Sequence, residues 1–213
     1  MKTPYKILTS LSILSFLMLR YRMHSAHNYF YLFLVWNLFL AYVPLLISAS
    51  LVNKKVSKMA LIPLLLVWLA FLPNAPYIIT DLMHLSNRST MSIWFDSLLI
   101  ISFASAGMLA YFVSIIQMNA VLKTNFNLKS SKALFVLIAF LNGFGIYLGR
   151  FSRWNSWDIL QEPKTLFTEI SMYLKHPVQH QQIWIFTIMM GSLLAIGTYG
   201  VLSQVFIRKT ITP

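Results

Sequence analysis

Two short stretches of the chain hold most of the side chains able to do chemistry. The first is Phe71-Leu72-Pro73-Asn74-Ala75-Pro76-Tyr77-Ile78-Ile79-Thr80-Asp81-Leu82-Met83-His84. Asp81 and His84 are three residues apart, so a helical turn places them on one face. Such a pair can supply a base with its orienting partner, or two ligands to a metal. Two residues do not make a metal centre, so no metal is expected, and no cofactor is indicated. The plainer alternative is that Pro-Asn-x-Pro shapes a helix break and leaves the pair at a wet interface. Pro73 and Pro76 predict a broken or kinked third helix. Asn74 reads as the N-cap of the helix that follows, with Pro76 in its first turn.

The second stretch is Gly149-Arg150-Phe151-Ser152-Arg153-Trp154-Asn155-Ser156-Trp157-Asp158. Arginine suits bidentate pairing with carboxylate or phosphate. This run is therefore expected to form an anion-binding cluster in which Asp158 pairs with Arg150, Arg153 or a ligand. The alternative is an interfacial aromatic belt with snorkelling arginines. Across both stretches the catalytic candidates are Asp81, His84 and Asp158. The ligand-binding candidates are Asn74, Tyr77, Arg150, Arg153, Asn155 and Trp157. Gly145 and Gly149, four apart just before the second motif, predict close helix packing.

The elements that carry these motifs are set by composition. Of 213 residues, 58% are hydrophobic and only 10% charged, and mean hydropathy is +0.68. A soluble domain carries about 25% charged residues, so most of this surface must face lipid. Six apolar segments follow: 7–19, 29–52, 59–72 (extended through the prolines to 80), 93–122, 133–148 and 183–207. The expected fold is all-α: a single integral membrane domain over 1–213, a polytopic transmembrane helix bundle of about six spans. Lys2 and Lys6 ahead of a short apolar run also resemble a signal peptide, but no good cleavage site follows, so a retained first helix is expected. Residues Leu166, Phe167, Ile170, Tyr173 and Leu174 recur at helical spacing in the long loop before the last span. They predict an amphipathic helix that lies on the membrane or covers the second motif.

The net charge is +12. Its basic residues fall in short clusters between apolar runs, so they orient a membrane protein and do not indicate nucleic-acid binding. The N-terminus, 53–58, 123–132 and the C-terminal tail hold ten Lys and Arg and no acidic residue. The opposite side holds all five acidic residues and five of the six arginines. Both termini are thus expected in the cytoplasm, with both motifs on the other side. Asn87-Arg88-Ser89 is a formal glycosylation sequon there. There are no cysteines, which removes disulfides, thiolate metal sites and cysteine nucleophiles.

Leu72-Pro73-Asn74-Ala75-Pro76-Tyr77 with Thr80-Asp81-Leu82, and Gly149-Arg150-Phe151 with Arg153-Trp154-Asn155-Ser156-Trp157-Asp158, together resemble the bacterial membrane proteins grouped as domain of unknown function 1361. The resemblance covers most of the chain. It implies a multi-pass protein of the bacterial cytoplasmic membrane and transfers no catalytic residues. Two functions fit. One is a binding, assembly or regulatory component whose motifs hold an anionic lipid, an envelope substrate, a protein partner or each other. The other is an enzyme acting on a lipid or cell-envelope substrate at the outer interface, with Asp81 or His84 as acid or base and the arginines holding phosphate. A transporter is disfavoured, because the sequence has no internal repeat and the spans lack charge.

Overall fold

The computed structural model describes residues 2–85, 93–126 and 132–211, with side chains described as far as Ser203. The glycosylation sequon lies outside these residues, and Arg208 and Lys209 of the C-terminal tail lie beyond the described side chains. Among them, every regular element is helical. The helices are α1 (Lys2–Ala26), α2 (Phe33–Leu51), α3 (Lys58–Phe71), α4 (Asn74–Tyr77), α5 (Ile93–Phe126), α6 (Lys132–Arg150), α7 (Asp158–Gln161), α8 (Pro163–Lys175) and α9 (Gln181–Ile211). A 3-10 turn, Phe30–Leu32, leads into α2, and a longer 3-10 stretch, Ile78–His84, follows α4.

Among the described residues, five segments are long and apolar enough to cross a membrane: Phe30–Leu51, Lys58–His84, Ile93–Phe126, Lys132–Arg150 and Gln181–Ser203. The first expected segment lies in α1, which is not among them. Its apolar run is only 7–19, closed by Lys6 on one side and Arg20 and Arg22 on the other. What α1 has is a buried stripe of Leu8, Ser12, Ser15, Leu19 and Arg22. These alternate at spacings of four and three, the seam of a packed helix, and α1 lies along α5.

Helix α5 is the centre of the bundle. At 34 residues and about 1.5 Å per residue it is longer than the roughly 30 Å hydrocarbon layer. Two-thirds of its most apolar window (67%) is buried inside the protein, against 28–39% for the other four. Phe103, Leu99, Ile100, Tyr111, Ile115 and Met118 are completely enclosed. Its polar residues also find partners. Trp68 Nε1 donates to Ser114 Oγ (2.8 Å), which donates to the carbonyl of Pro44 (3.0 Å), and Ser48 Oγ donates to Gln117 Oε1 (2.8 Å). This network ties α2, α3 and α5 where an unpaired polar group would have no water to turn to.

The third span stays helical through both prolines. Leu72 N donates to Trp68 O (2.9 Å) and Tyr77 N to Pro73 O (3.0 Å), so α3, α4 and the 3-10 stretch follow with no extended break. Asn74 is therefore not the N-cap expected from sequence. Pro73 holds that position without a side-chain cap, and the Asn74 amide is used elsewhere. Tight seating fixes this segment between two helices. A Cβ on Gly107 of α5 would stand 2.5 Å from the Ala75 carbonyl oxygen, and one on Gly145 of α6 would stand 2.8 Å from Pro73 Cγ. The glycine packing expected on α6 thus seats the first motif, while Gly143 seats α9 at Gly191.

Candidate functional site

The two motifs meet at one end of the bundle. The 3-10 turn after α4 has three residues per turn, so Asp81 and His84 stack more closely than they would on an α-helix. Arg150, the last residue of α6, reaches both. Its Nη2 pairs with Asp81 Oδ1, and its Nη1 donates to His84 Nε2 (2.9 Å). Its Nε donates to Thr80 Oγ1 (2.8 Å). The guanidinium carbon lies 4.2 Å from the centroid of the Tyr77 ring, within cation–π range. Asn37 Nδ2 on α2 donates to the other Asp81 oxygen (2.9 Å). The Asp81 side chain is 1% exposed and that of Arg150 10%. All three guanidinium nitrogens are spent on protein, so Arg150 is a lock between helices.

A second bond joins the motifs. Asn74 Nδ2 donates to Phe71 O and to Ser156 Oγ (both 2.9 Å), and Ser156 Oγ donates to Ala70 O (2.9 Å). Gly149 brings α6 close enough that a Cβ there would lie 3.4 Å from the Tyr77 ring.

The expected pairing of Asp158 with Arg150 or Arg153 is corrected by the structure. Asp158 Oδ2 accepts from Asn155 N (2.6 Å) and Asn155 Nδ2 (3.2 Å). This is local turn chemistry, in which an Asp carboxylate satisfies the backbone of its own loop. Arg153 is exposed and holds a left-handed backbone with φ 63°. His84 faces a guanidinium, which has no acceptor and repels a cation, so this geometry does not suit a metal ligand. Among the described residues, no three His, Asp or Glu side chains converge for a metal.

Between the motifs lies a cavity of about 170 Å³. Trp36, Asn37 and Leu40 of α2 form one wall, Ala70, Pro73, Asn74 and Tyr77 a second, Gly145, Leu148 and Gly149 of α6 a third. The loop from Trp154 to Trp157, with Ile159 and Leu166, completes it. Four of the six ligand-binding candidates line it: Asn74, Tyr77, Asn155 and Trp157. Arg150 and Arg153 are not among the lining residues, and neither are Asp81, His84 and Asp158. The sequence reading passed over Trp36 and Asn37, which sit alone in an apolar span; only an amide inside such a span signalled them.

Helix α8 closes over the second motif. Leu166 and Tyr173 are buried with Leu148 and Ile183, and Ile170 and Trp154 pack against them. Trp154 Nε1 donates to Glu169 Oε2 (2.6 Å), Tyr173 Oη donates to Glu169 Oε1, and Ser152 Oγ lies 2.9 Å from Tyr173 Oη. Burial pushes the Glu169 carboxyl up, but hydrogen bonds from Tyr173, Trp154 and Ser152 outweigh it and hold the group below its usual value. Burial, together with the Glu169 bond, pushes the Tyr173 phenol up. A carboxyl lowered in the folded state stabilises the fold above its unfolded pKa, and that contribution is lost as pH falls through the folded value. Acidification below pH about 4 is therefore expected to loosen α8. Amide exchange across 163–175, corrected for the intrinsic rate, should rise there in the native protein. Glu169→Gln should give looser exchange with little pH dependence. An equally steep acid response in the variant would contradict the latch.

A family model described as "Protein of unknown function (DUF1361)" matches residues 36–196. The chain belongs to this family. The match runs from Trp36, on the cavity wall, through both motifs and α8 into α9. No curated protein and no solved structure matches the chain. The DUF1361 assignment agrees with the resemblance carried by the two motifs. With five helices able to span a bilayer, it makes this chain a multi-pass membrane protein in contact with lipid.

Proposed function

We propose that this DUF1361 protein is a binding component of the bacterial cytoplasmic membrane. It would hold a small ligand group in the cavity between its two motifs, on the non-cytoplasmic side, with both termini in the cytoplasm. One observation carries the reading: the cavity is walled by ligand-capable side chains from both motifs, whereas Asp81, His84 and Asp158 are all absent from its lining. An enzyme needs its acid or base within hydrogen-bond reach of the reacting group. Here the strongest candidate, Asp81, is enclosed and spent on Arg150 and Asn37. The geometry therefore favours binding over turnover at the outer interface.

Filling the cavity tests this. Ala70 lines it and is only partly buried, and it stands outside the Arg150 lock. Ala70→Leu is expected to leave helicity and monodispersity unchanged, while lipid or envelope material retained through purification, read by mass spectrometry, falls by about tenfold or more. Equal retention in a folded variant would overturn the reading.

A further inference from the structure

The cavity's lining selects among ligand chemistries, and we infer that it takes an uncharged, hydroxyl-rich group, a sugar or polyol. This inference rests on the binding reading above. No charged side chain is among the residues that line the cavity. Neither Arg150 nor Arg153 is among the lining residues: Arg150 is paired with Asp81 and stacked on the Tyr77 ring, and Arg153 is exposed. Among the lining residues a phosphate headgroup would meet no cation, and an ammonium no carboxylate. Taking either from water without its counter-charge is costly.

The unspent hydrogen-bonding groups point the same way. The Asn37 and Asn74 amides donate to protein, but their carbonyl oxygens accept nothing from any described residue. Tyr77 Oη and Trp157 Nε1 likewise have no hydrogen-bond partner among described residues. The lining thus offers acceptors and donors together. Ammonium ions only donate and phosphates mainly accept, whereas a hydroxyl does both from one atom. The aromatic rings of Trp36, Tyr77 and Trp157 add apolar faces against which the C–H face of a sugar ring packs. Size agrees too: about 170 Å³ falls below the roughly 300–1,000 Å³ of sites for whole drug-sized ligands, so it suits one ring-sized group. Trp36 is 54% exposed and stacks on Phe39, itself 55% exposed. One wall therefore opens toward the lipid side, where the acyl chains of a glycolipid would lie.

The test uses the full chain in phosphatidylcholine nanodiscs prepared without any sugar-based detergent, since a glucoside would itself compete. Glucosyl diacylglycerol, phosphatidylglycerol, phosphatidylethanolamine and free glucose are titrated, with binding read by native mass spectrometry and tryptophan emission. The expected result is that glucosyl diacylglycerol binds at least about tenfold more tightly than either phospholipid. Tyr77→Phe, which keeps the ring under Arg150, should weaken it by roughly three- to tenfold. If free glucose binds as well as the glycolipid, the sugar chemistry holds and its source is soluble. Preference for phosphatidylglycerol or phosphatidylethanolamine, or indifference to Tyr77→Phe, would overturn the sugar assignment and leave the binding reading standing. If no probe binds and Ala70→Leu also changes nothing, the binding reading itself fails.

Discussion

Asp81→Ala is expected to destabilise the protein by about 3–5 kcal/mol, because it strips the counter-charge from a buried guanidinium. Arg150 cannot shed its proton, and its side chain is only 10% exposed. Its remaining hydrogen bonds, to Thr80 and His84, supply no carboxylate in its place. Arg150→Met should cost a similar amount by leaving the Asp81 carboxylate with only the Asn37 amide. The double variant is expected to fall short of the sum by about 1–3 kcal/mol, since the two residues act as one unit. Reversible unfolding in mixed micelles, read by helicity, measures all three. Strict additivity would mean that the pair is no lock. The ligand should be lost with the lock, because Asn37, Tyr77 and Gly149, next to Arg150, all line the cavity.

The second large effect separates stability from the site. Arg22 near the end of α1 pairs with Asp96 in the first turn of α5, with Nε 2.6 Å from Oδ1 and Nη2 3.3 Å from Oδ2. Tyr31 Oη donates to Oδ2 (3.1 Å), and the Arg22 guanidinium stands 5.3 Å from the Tyr31 ring. Both charged side chains are at most 4% exposed. Asp96→Ala is expected to cost about 3–5 kcal/mol by the same physics, whereas Tyr31→Phe should cost about 1 kcal/mol, one hydrogen bond. The loss falls on the docking of α1 against α5. Protease cleavage between α1 and α2 should accelerate, while at conditions where the variant remains folded the cavity keeps its ligand. Loss of ligand at full folding would show that α1 bears on the site directly.

Much of this was legible in the sequence for physical reasons. Long apolar runs, sparse charge and helical spacing in 166–174 follow from the bilayer's demand for internally satisfied backbone, and these features fixed the helical spans and α8. The Asp81–His84 spacing correctly put both on one face. The partner of that face was harder to see. Arg150 lies 69 residues from Asp81, and Asp158 stood nearer in sequence as a rival for the arginine; local turn chemistry with Asn155 took it instead. Asn74 looked like a cap because asparagine suits that position and Pro76 would then fall in the first turn. The chain stays helical through Pro73, which frees the amide to bridge to Ser156. The Arg22–Asp96 pair was passed over because Arg22 sits just outside the 7–19 run and Asp96, at the start of the 93–122 run, was counted only as a charge of the opposite side. Only the four-three spacing from Leu8 to Arg22 carried its signal.

The central claim is that the two motifs close on one another at one end of the bundle, and the chain's lack of cysteine makes it directly measurable. Asn74 Nδ2 and Ser156 Oγ are 2.9 Å apart, so Asn74→Cys and Ser156→Cys in one chain should cross-link through a short thiol-reactive bridge in native membranes. The product should be intramolecular and absent from either single variant or from Ser57→Cys with Ser156→Cys. If Asn74→Cys with Ser156→Cys gives no cross-link while each thiol is shown to react, the motifs do not meet. The cavity and everything proposed for it would then go with them.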